Sequence, residues 1–225
     1  MISLIKCHIH YMFSKATFYL ITLTSLLTLV MIFIYAYSAN SLDGHVSKYY
    51  FESCYSIINT ILLLITIFMF AHQFQSRQDQ YSQIIVGCKV SKWKYCTTKI
   101  FVVLFSITIV YVIYCTLVIA VFLILINDQL IEIAWIIKYA NIYLELLYYG
   151  FLSMLLMQFV DNLYMIFVAF GIYLFGASSN STLVMLITCR TNQYGMYQFS
   201  YLYVIIIILL CFSLNVVVFS KKDIK

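Results

Sequence analysis

Apolar and polar residues follow one another in long blocks along this chain of 225 residues. A helix that crosses a bilayer needs about 20 apolar residues, whereas a barrel strand alternates in polarity over about ten. The charge-poor blocks are apolar on every side, so they predict helices and not strands. We therefore predict an all-α integral membrane protein, one domain over 1–225, with six transmembrane helices at Thr17–Ser38, Ser53–Ala71, Ile100–Ile126, Ile142–Val160, Leu163–Ala177 and Ser200–Phe219.

The longest polar interruption runs from Gln73 to Lys99, between the second and third predicted spans. Its basic residues outnumber its single acid, Asp79; they are Arg77, Lys89, Lys92, Lys94 and Lys99. Apolar residues within it recur at the spacing of one helix face, with polar residues on the other side. That face consists of Tyr81, Ile84, Ile85 and Cys88. The pattern predicts an amphipathic helix at the membrane surface.

Two further segments are too short or too polar to span. Met1–Ala16 mixes basic and apolar residues and suits an amino-terminal helix in the membrane interface. Ser178–Gly195 contains only a brief apolar piece, which cannot cross a bilayer and is too apolar for a solvated loop. We predict an outer re-entrant element there, between spans five and six, with Ser178 and Asn180 in it and Gly176 and Gly195 as flanking hinges.

The remaining connections complete the predicted topology. Ala39–Glu52 reads as an outer loop, and so does the stretch that holds Trp135 and Lys138. Aromatic residues near both, including Tyr50 and Tyr139, are expected to anchor the chain at the membrane interface. The third span is long enough that it must tilt or protrude. Spans four and five are expected to form a tight inner hairpin.

Charge sets the orientation. The chain is 64% hydrophobic and 9% charged, far from the composition of a soluble protein. With the amino terminus inside, ten of the 13 Lys and Arg residues lie on the inner side and three on the outer side. Because short cytoplasmic loops retain basic residues, both termini are predicted to be cytoplasmic. The net charge of +5 is therefore a topology signal, and we expect no nucleic-acid partner.

Candidate chemistry is sparse. The seven cysteines form no Cys-x-x-Cys motif and are interpreted as small apolar fillers. Gly176 to Ser179 superficially resembles a membrane protease nucleophile turn, but no histidine is placed to take the proton of Ser178. We expect no catalytic, cofactor-binding or metal-binding residues and therefore no enzyme.

Intramembrane charge distinguishes ion-coupled carriers from other transporters. Glu145 and Asp161 are expected at the two ends of the fourth span, which leaves the span centres uncharged and disfavours such a carrier. Asn59 and Gln158 are polar residues within spans. They either form hydrogen bonds between helices or line a passage.

The six spans, the amino-terminal interface helix, the basic inner segment and the outer re-entrant element together resemble the type-2 ABC export permeases. In those permeases a pair of leucines, a Ser-Arg and a downstream lysine follow the second span. Ile85-Val86, Ser91-Lys92 and Lys99 occupy matching places here, while Lys89 replaces a proline. The resemblance implies a cytoplasmic ABC ATPase subunit as partner, a second permease copy or homologous permease, and membrane lipid around both.

The resemblance also implies how such a subunit works. The chain lacks a phosphate-binding loop, so ATP and Mg would be bound by the partner ATPase and no cofactor by this chain. The basic segment would be a coupling helix seated on the ATPase, moving with it as a rigid body. Its contact residues would be Arg77, Tyr81, Ile84, Ile85, Cys88, Lys89 and Lys92.

Cargo is predicted from the abundance of aromatic residues. Twenty-one Tyr and 18 Phe suit an amphipathic or hydrophobic peptide, such as a toxin or antimicrobial peptide, leaving through a bacterial plasma membrane. Biased genome composition would enrich the same residues. The substrate-binding membrane subunit of an energy-coupling-factor vitamin importer and a bacteriocin immunity membrane protein are the alternative interpretations.

Overall fold

Seven helices make up the part of the chain that the computed structural model describes, which is residues 2–12, 15–40, 46–74, 91–126, 133–160, 162, 164–178 and 199–221. In chain order they are α1 (Ile2–Met12), α2 (Lys15–Asn40), α3 (Val46–Gln73), α4 (Lys92–Leu125), α5 (Ile133–Phe159), α6 (Met165–Ser178) and α7 (Phe199–Lys221). No strand occurs in these ranges. The prediction of an all-α protein is confirmed for them.

Five of the helices, α2, α3, α4, α5 and α7, are long and apolar enough to cross a membrane. The chain therefore has the architecture of a multi-pass membrane protein. The fifth predicted span, Leu163–Ala177, corresponds to α6, which has 14 residues. At 1.5 Å per residue it extends about 21 Å, shorter than the roughly 30 Å of a hydrocarbon core.

Several helices are longer than the predicted spans, because they continue into segments that the hydropathy pattern assigns to loops. Instead of starting at Ser53, Ile100 and Ile142, α3, α4 and α5 start at Val46, Lys92 and Ile133. The start of α4 is capped by Ser91, whose side chain accepts a hydrogen bond from the Lys94 amide. Lys92, Lys94 and Lys99 thus belong to α4 and not to a separate surface helix.

Aromatic residues predicted to anchor the chain in the membrane interface are instead largely buried inside it. Tyr50, Phe51, Trp135 and Tyr139 all belong to the core. The Phe51 and Trp135 rings stack with centroids 5.6 Å apart. The extensions of α3 and α5 are therefore held by aromatic packing between the two helices.

The centre of the bundle is formed by α3 and α5, which pack most extensively on each other, with α2, α4, α6 and α7 around them. Gly150 of α5 permits a close approach, because the Phe70 ring of α3 fills the space where a Cβ would stand. Hydroxyl groups link further helices: Tyr50 donates to the Val118 carbonyl at 2.9 Å, and Tyr111 to the Tyr139 carbonyl at 2.8 Å. Such hydrogen bonds satisfy polar groups that lipid cannot.

The outer faces of α2, α4 and α7 are apolar and exposed, for example at Leu23, Phe101 and Leu209. Their exposure matches surfaces that lie against lipid or another apolar partner.

A short connection joins α5 to α6, where Asn162 accepts a hydrogen bond from the Tyr164 amide at 3.0 Å. That this connection is a tight hairpin on the inner side of the membrane stays a prediction. The amino-terminal segment forms a short helix, α1, which packs against α4 and α3; its place in the membrane interface stays a prediction.

Candidate functional site

A polar cluster lies at the middle of the bundle, where α3, α5 and α6 meet. The Nδ2 atom of Asn59 donates to Oε2 of Glu145 at 3.0 Å and to the Tyr173 hydroxyl at 3.4 Å. Glu145 is 0% exposed, Asn59 4% and Tyr173 6%. We call these three residues the central cluster. It brings one carboxyl group, one amide and one phenol together from three helices.

The position of Glu145 corrects the expectation that it marks the end of a span. Because α5 starts at Ile133 and ends at Phe159, Glu145 lies almost at its midpoint, about 18 Å from the first residue. Asn59 occupies the same place in α3, which runs from Val46 to Gln73. An ionisable side chain therefore lies at the centre of α5, a helix long enough to cross a membrane. The sequence argument against intramembrane ion binding, which assumed that the span centres lack such groups, no longer holds.

The surroundings of the central cluster are mostly apolar, although the buried amide of Asn141 lies one turn before Glu145 on α5. Along α5, Ile142, Leu146 and Tyr149 lie within one turn of Glu145 and are buried, and Leu62 and Leu63 are buried along α3. A carboxylate in such a place has lost its water and costs several kcal/mol unless it is compensated. The amide of Asn59 supplies one charge-assisted hydrogen bond. Its own Oδ1 is buried and has no hydrogen-bond partner among the described residues.

A second polar group lies where α3 ends and α4 begins. The Lys99 Nζ donates to the carbonyl of Gln73 at 3.0 Å and lies 5.2 Å and 4.9 Å from the ring centroids of Phe74 and Tyr95. Lys99 is only 1% exposed. Gln73 is the last residue of α3, so the cation meets the negative end of the helix dipole.

The amino-terminal helix completes this group. The His8 ring of α1 meets the Tyr95 ring edge-on at a centroid distance of 5.0 Å. Burial, and to a lesser extent the positive charge of Lys99, lowers the pKa of His8 from 6.5 to about 4. Neutral His8 is therefore the form that fits between α1 and α4. We call His8, Gln73, Phe74, Tyr95 and Lys99 the α3–α4 junction.

An apolar cavity of about 210 Å³ lies among α3, α4 and α5, at the end of the bundle where α5 begins. Aromatic side chains line much of it, including Phe51, Tyr111, Trp135 and Tyr139. Lys138 stands nearby, with its Nζ 4.4 Å from the Trp135 ring centroid and 3.8 Å from a Glu52 oxygen. The cavity suits a small apolar group.

Among the sequence-predicted site residues, the structure brings Asn59 into the central cluster. Gln158 is buried further along α5. Of the predicted outer gate, Gly176 is buried in α6, and Ser178 ends that helix with its Oγ donating to the Phe175 carbonyl at 3.1 Å. Both gate residues are thus part of a helix.

Most of the predicted coupling contacts, and two gate residues, lie outside the described residues. They are Arg77, Tyr81, Ile84, Ile85, Cys88, Lys89, Asn180 and Gly195. Lys92 is described and is the first residue of α4. The coupling role of these residues stays a prediction.

Sequence reasoning missed Glu145 because it treated Lys138 and Trp135 as parts of a loop. A signal was present: a span that begins at the aromatic pair Trp135 and Tyr139 places Glu145 well inside the membrane.

Comparison with known proteins found no family model that matches the chain and no curated protein that matches it.

Proposed function

We propose that the chain is the membrane-spanning subunit of an ATP-driven exporter of the type-2 ABC kind. Its architecture supports the proposal: a short helix, α1, precedes the first long apolar helix, and a basic segment separates α3 from α4. In this proposal the subunit pairs with a second permease copy in a bacterial plasma membrane. Both termini lie in the cytoplasm with the basic segment, and a separate ATPase binds ATP and Mg.

The α3–α4 junction is the observation that carries the proposal. The hydrogen bond from Lys99 to Gln73 joins the residues on the two sides of segment 75–90, which contains the predicted coupling helix. This contact is buried, and the rings of Phe74 and Tyr95 pack around the Lys99 ammonium group. The end of α3 and the start of α4 are therefore held together. A displacement of segment 75–90 would therefore be passed to both helices together.

The central position of α3 gives such a displacement a route into the bundle. From the junction, α3 runs to the central cluster and contacts α5 along its length. Closure of an ATPase dimer would thus move the helices that surround any passage, while α2 and α7 remain against lipid. For a six-span topology, α6 would cross together with residues that flank it.

Amphipathic or hydrophobic peptides are the cargo that this proposal favours. The aromatic-lined cavity beside Trp135 and Tyr111 supports it, because such a cavity accepts an apolar side chain. Uncharged aromatic surfaces bind apolar groups without the desolvation cost that charged surfaces impose.

The test replaces the apolar face of the predicted coupling helix. In the wild type, a cytoplasmic ATPase should co-purify with the chain, and a hydrophobic peptide should stimulate its ATP turnover. Changing Ile84→Asp and Ile85→Asp places charges in the expected contact and should reduce co-purification at least tenfold, since an unpaired buried charge costs several kcal/mol.

The matched control is Ser82→Asp with Gln83→Asp, which adds the same charge to two adjacent residues on the polar side of the predicted helix. It should leave co-purification and turnover nearly unchanged. If the wild type carries no ATPase under mild extraction, or if the double variant at Ile84 and Ile85 retains full stimulated turnover, the exporter proposal is wrong.

A further inference from the structure

The central cluster lies where an ionised carboxyl group is most costly in a membrane protein. Glu145 is about 18 Å from one end of α5 and about 21 Å from the other, and a hydrocarbon core is about 30 Å thick. Asn59 is equally central in α3, and Tyr173 lies in the second half of α6. Ionisable groups at this depth mark ion or proton pathways in membrane proteins.

The hydrogen bonds of the cluster are compatible with both protonation states of Glu145. A carboxylate only accepts hydrogen bonds, whereas a carboxylic acid also donates one. The Asn59 amide has a donor and an acceptor, and the Tyr173 hydroxyl can donate or accept. If the amide turns by 180°, Oδ1 takes the place of Nδ2, 3.0 Å from Glu145 and 3.4 Å from Tyr173.

That rotation breaks no hydrogen bond on the far side of the amide. In the described part of the chain, Oδ1 of Asn59 is buried and has no partner. One half of the amide lacks a hydrogen-bond partner in either orientation, so the rotation exchanges an unpaired oxygen for an unpaired NH2 group. The net change on protonation is then the removal of a buried negative charge.

Titratable groups on the helices packed against α5 determine what else can respond to pH. Tyr173 of α6 is the group in the cluster itself, and its ring contacts Tyr149 of α5 edge-on at 5.5 Å. On α3, Tyr55 lies one turn before Asn59. On α7, Cys211 lies one turn before Asn215, which donates to the Phe151 carbonyl at 3.0 Å. Phenols and thiols are neutral at the mildly acidic pH at which a carboxylate ordinarily takes up a proton.

We propose that Glu145, Asn59 and Tyr173 form a proton-binding site at the centre of the membrane. Glu145 takes a proton on Oε2, the Asn59 amide turns, and Oδ1 accepts hydrogen bonds from the new Glu145 hydroxyl and from Tyr173. The step is an acid–base reaction with hydronium as the proton source and water as the product. It goes beyond the exporter proposal, and it requires no ATPase.

A proton fits the donor set of the cluster better than a metal ion. The central cluster contains a single carboxylate, whereas calcium and magnesium sites combine carboxylates with further oxygen ligands to reach coordination numbers of six to eight and of six. No group of three or more His, Cys, Asp or Glu residues with ligand spacing occurs among the described residues. One proton neutralises the single carboxylate of the cluster.

The test uses infrared difference spectroscopy of the purified full chain in lipid nanodiscs, with pH as the perturbation and sodium and potassium held constant. We expect the carbonyl band of a water-shielded carboxylic acid to appear as pH falls. The band should be lost in Glu145→Gln. The matched control is Glu52→Gln, since Glu52 is exposed and pairs with Lys138, and it should retain the band.

A second variant keeps the test informative if Glu145→Gln does not fold. Asn59→Leu has a similar size but can hydrogen-bond to neither form of the Glu145 carboxyl group. Because the charge-assisted bond to the carboxylate is the stronger of the two, the band should persist and its midpoint should move to higher pH by about one unit. Three outcomes would overturn the proposal. They are a titrating band that survives in Glu145→Gln, an unchanged midpoint in Asn59→Leu, and a wild-type signal that follows sodium or potassium concentration at fixed pH.

Discussion

Gly150 provides a sharp test of the packing between α3 and α5. A Cβ atom added there would lie under 3.0 Å from two ring carbons of Phe70 and 3.2 Å from a third. Phe70 cannot retreat easily, because it is fully buried and its ring packs against that of Phe151 with centroids 5.4 Å apart. We therefore expect Gly150→Ala to force α3 and α5 apart.

The magnitude follows from comparison with Gly171, where an added Cβ would meet no atom within 4 Å. Both substitutions gain about 1 kcal/mol because alanine is the better helix former. Only Gly150→Ala also overpacks the core, at a cost of about 1–3 kcal/mol. Because both neighbouring rings are buried, we expect the two variants to differ by about 2–3 kcal/mol in free energy of unfolding, with Gly171→Ala the more stable.

The assay is reversible unfolding of the purified variants in mixed micelles, followed by circular dichroism. Phe70→Leu in the Gly150→Ala background should recover part of the loss, whereas Phe70→Leu alone should destabilise the wild type. Equal stability of Gly150→Ala and Gly171→Ala, or no rescue by Phe70→Leu, would show that α3 and α5 do not meet at Gly150 as described.

Two further predictions concern the end of the bundle near α1 and the orientation of the chain. His8 has a pKa of about 4 when α1 is docked and about 6.5 when it is free. Docking should therefore be strongest above pH 6.5 and should lose up to about 3 kcal/mol as pH falls from 6.5 to 4. Hydrogen exchange of the α1 amides should show this loss, and His8→Phe should abolish its pH dependence; an equal loss in that variant would rule out His8 as the cause. In single-cysteine variants, an impermeant thiol reagent should label Cys189 in intact cells and Cys88 only after the membrane is opened, because basic residues concentrate on the inner side. Labelling of Cys88 from outside would contradict the predicted orientation.

The presence of helices long and apolar enough to span a membrane could be predicted from the sequence because it depends on local composition. A block such as Ser200–Phe219 is long, apolar and free of charge, and in lipid a helix is the conformation that satisfies its backbone within the segment. The structure describes α7 over nearly the same residues, Phe199–Lys221. The start of α5 could not be predicted in this way, because Trp135 and Lys138 have the composition of an interface loop.

The tertiary structure decided where these residues lie. Trp135 is buried because Phe51, on another helix, stacks on it, and the resulting extension of α5 moves Glu145 from the expected end of a span to its middle. One partner of Glu145 is Asn59, 86 residues away in the chain. Hydropathy is a property of single residues and short windows, so the sequence by itself determined which segments are apolar enough for a bilayer. Which polar side chains meet across the bundle depends on contacts between distant helices, since a partner such as the amide of Asn59 helps to offset the cost of burying the Glu145 carboxyl group.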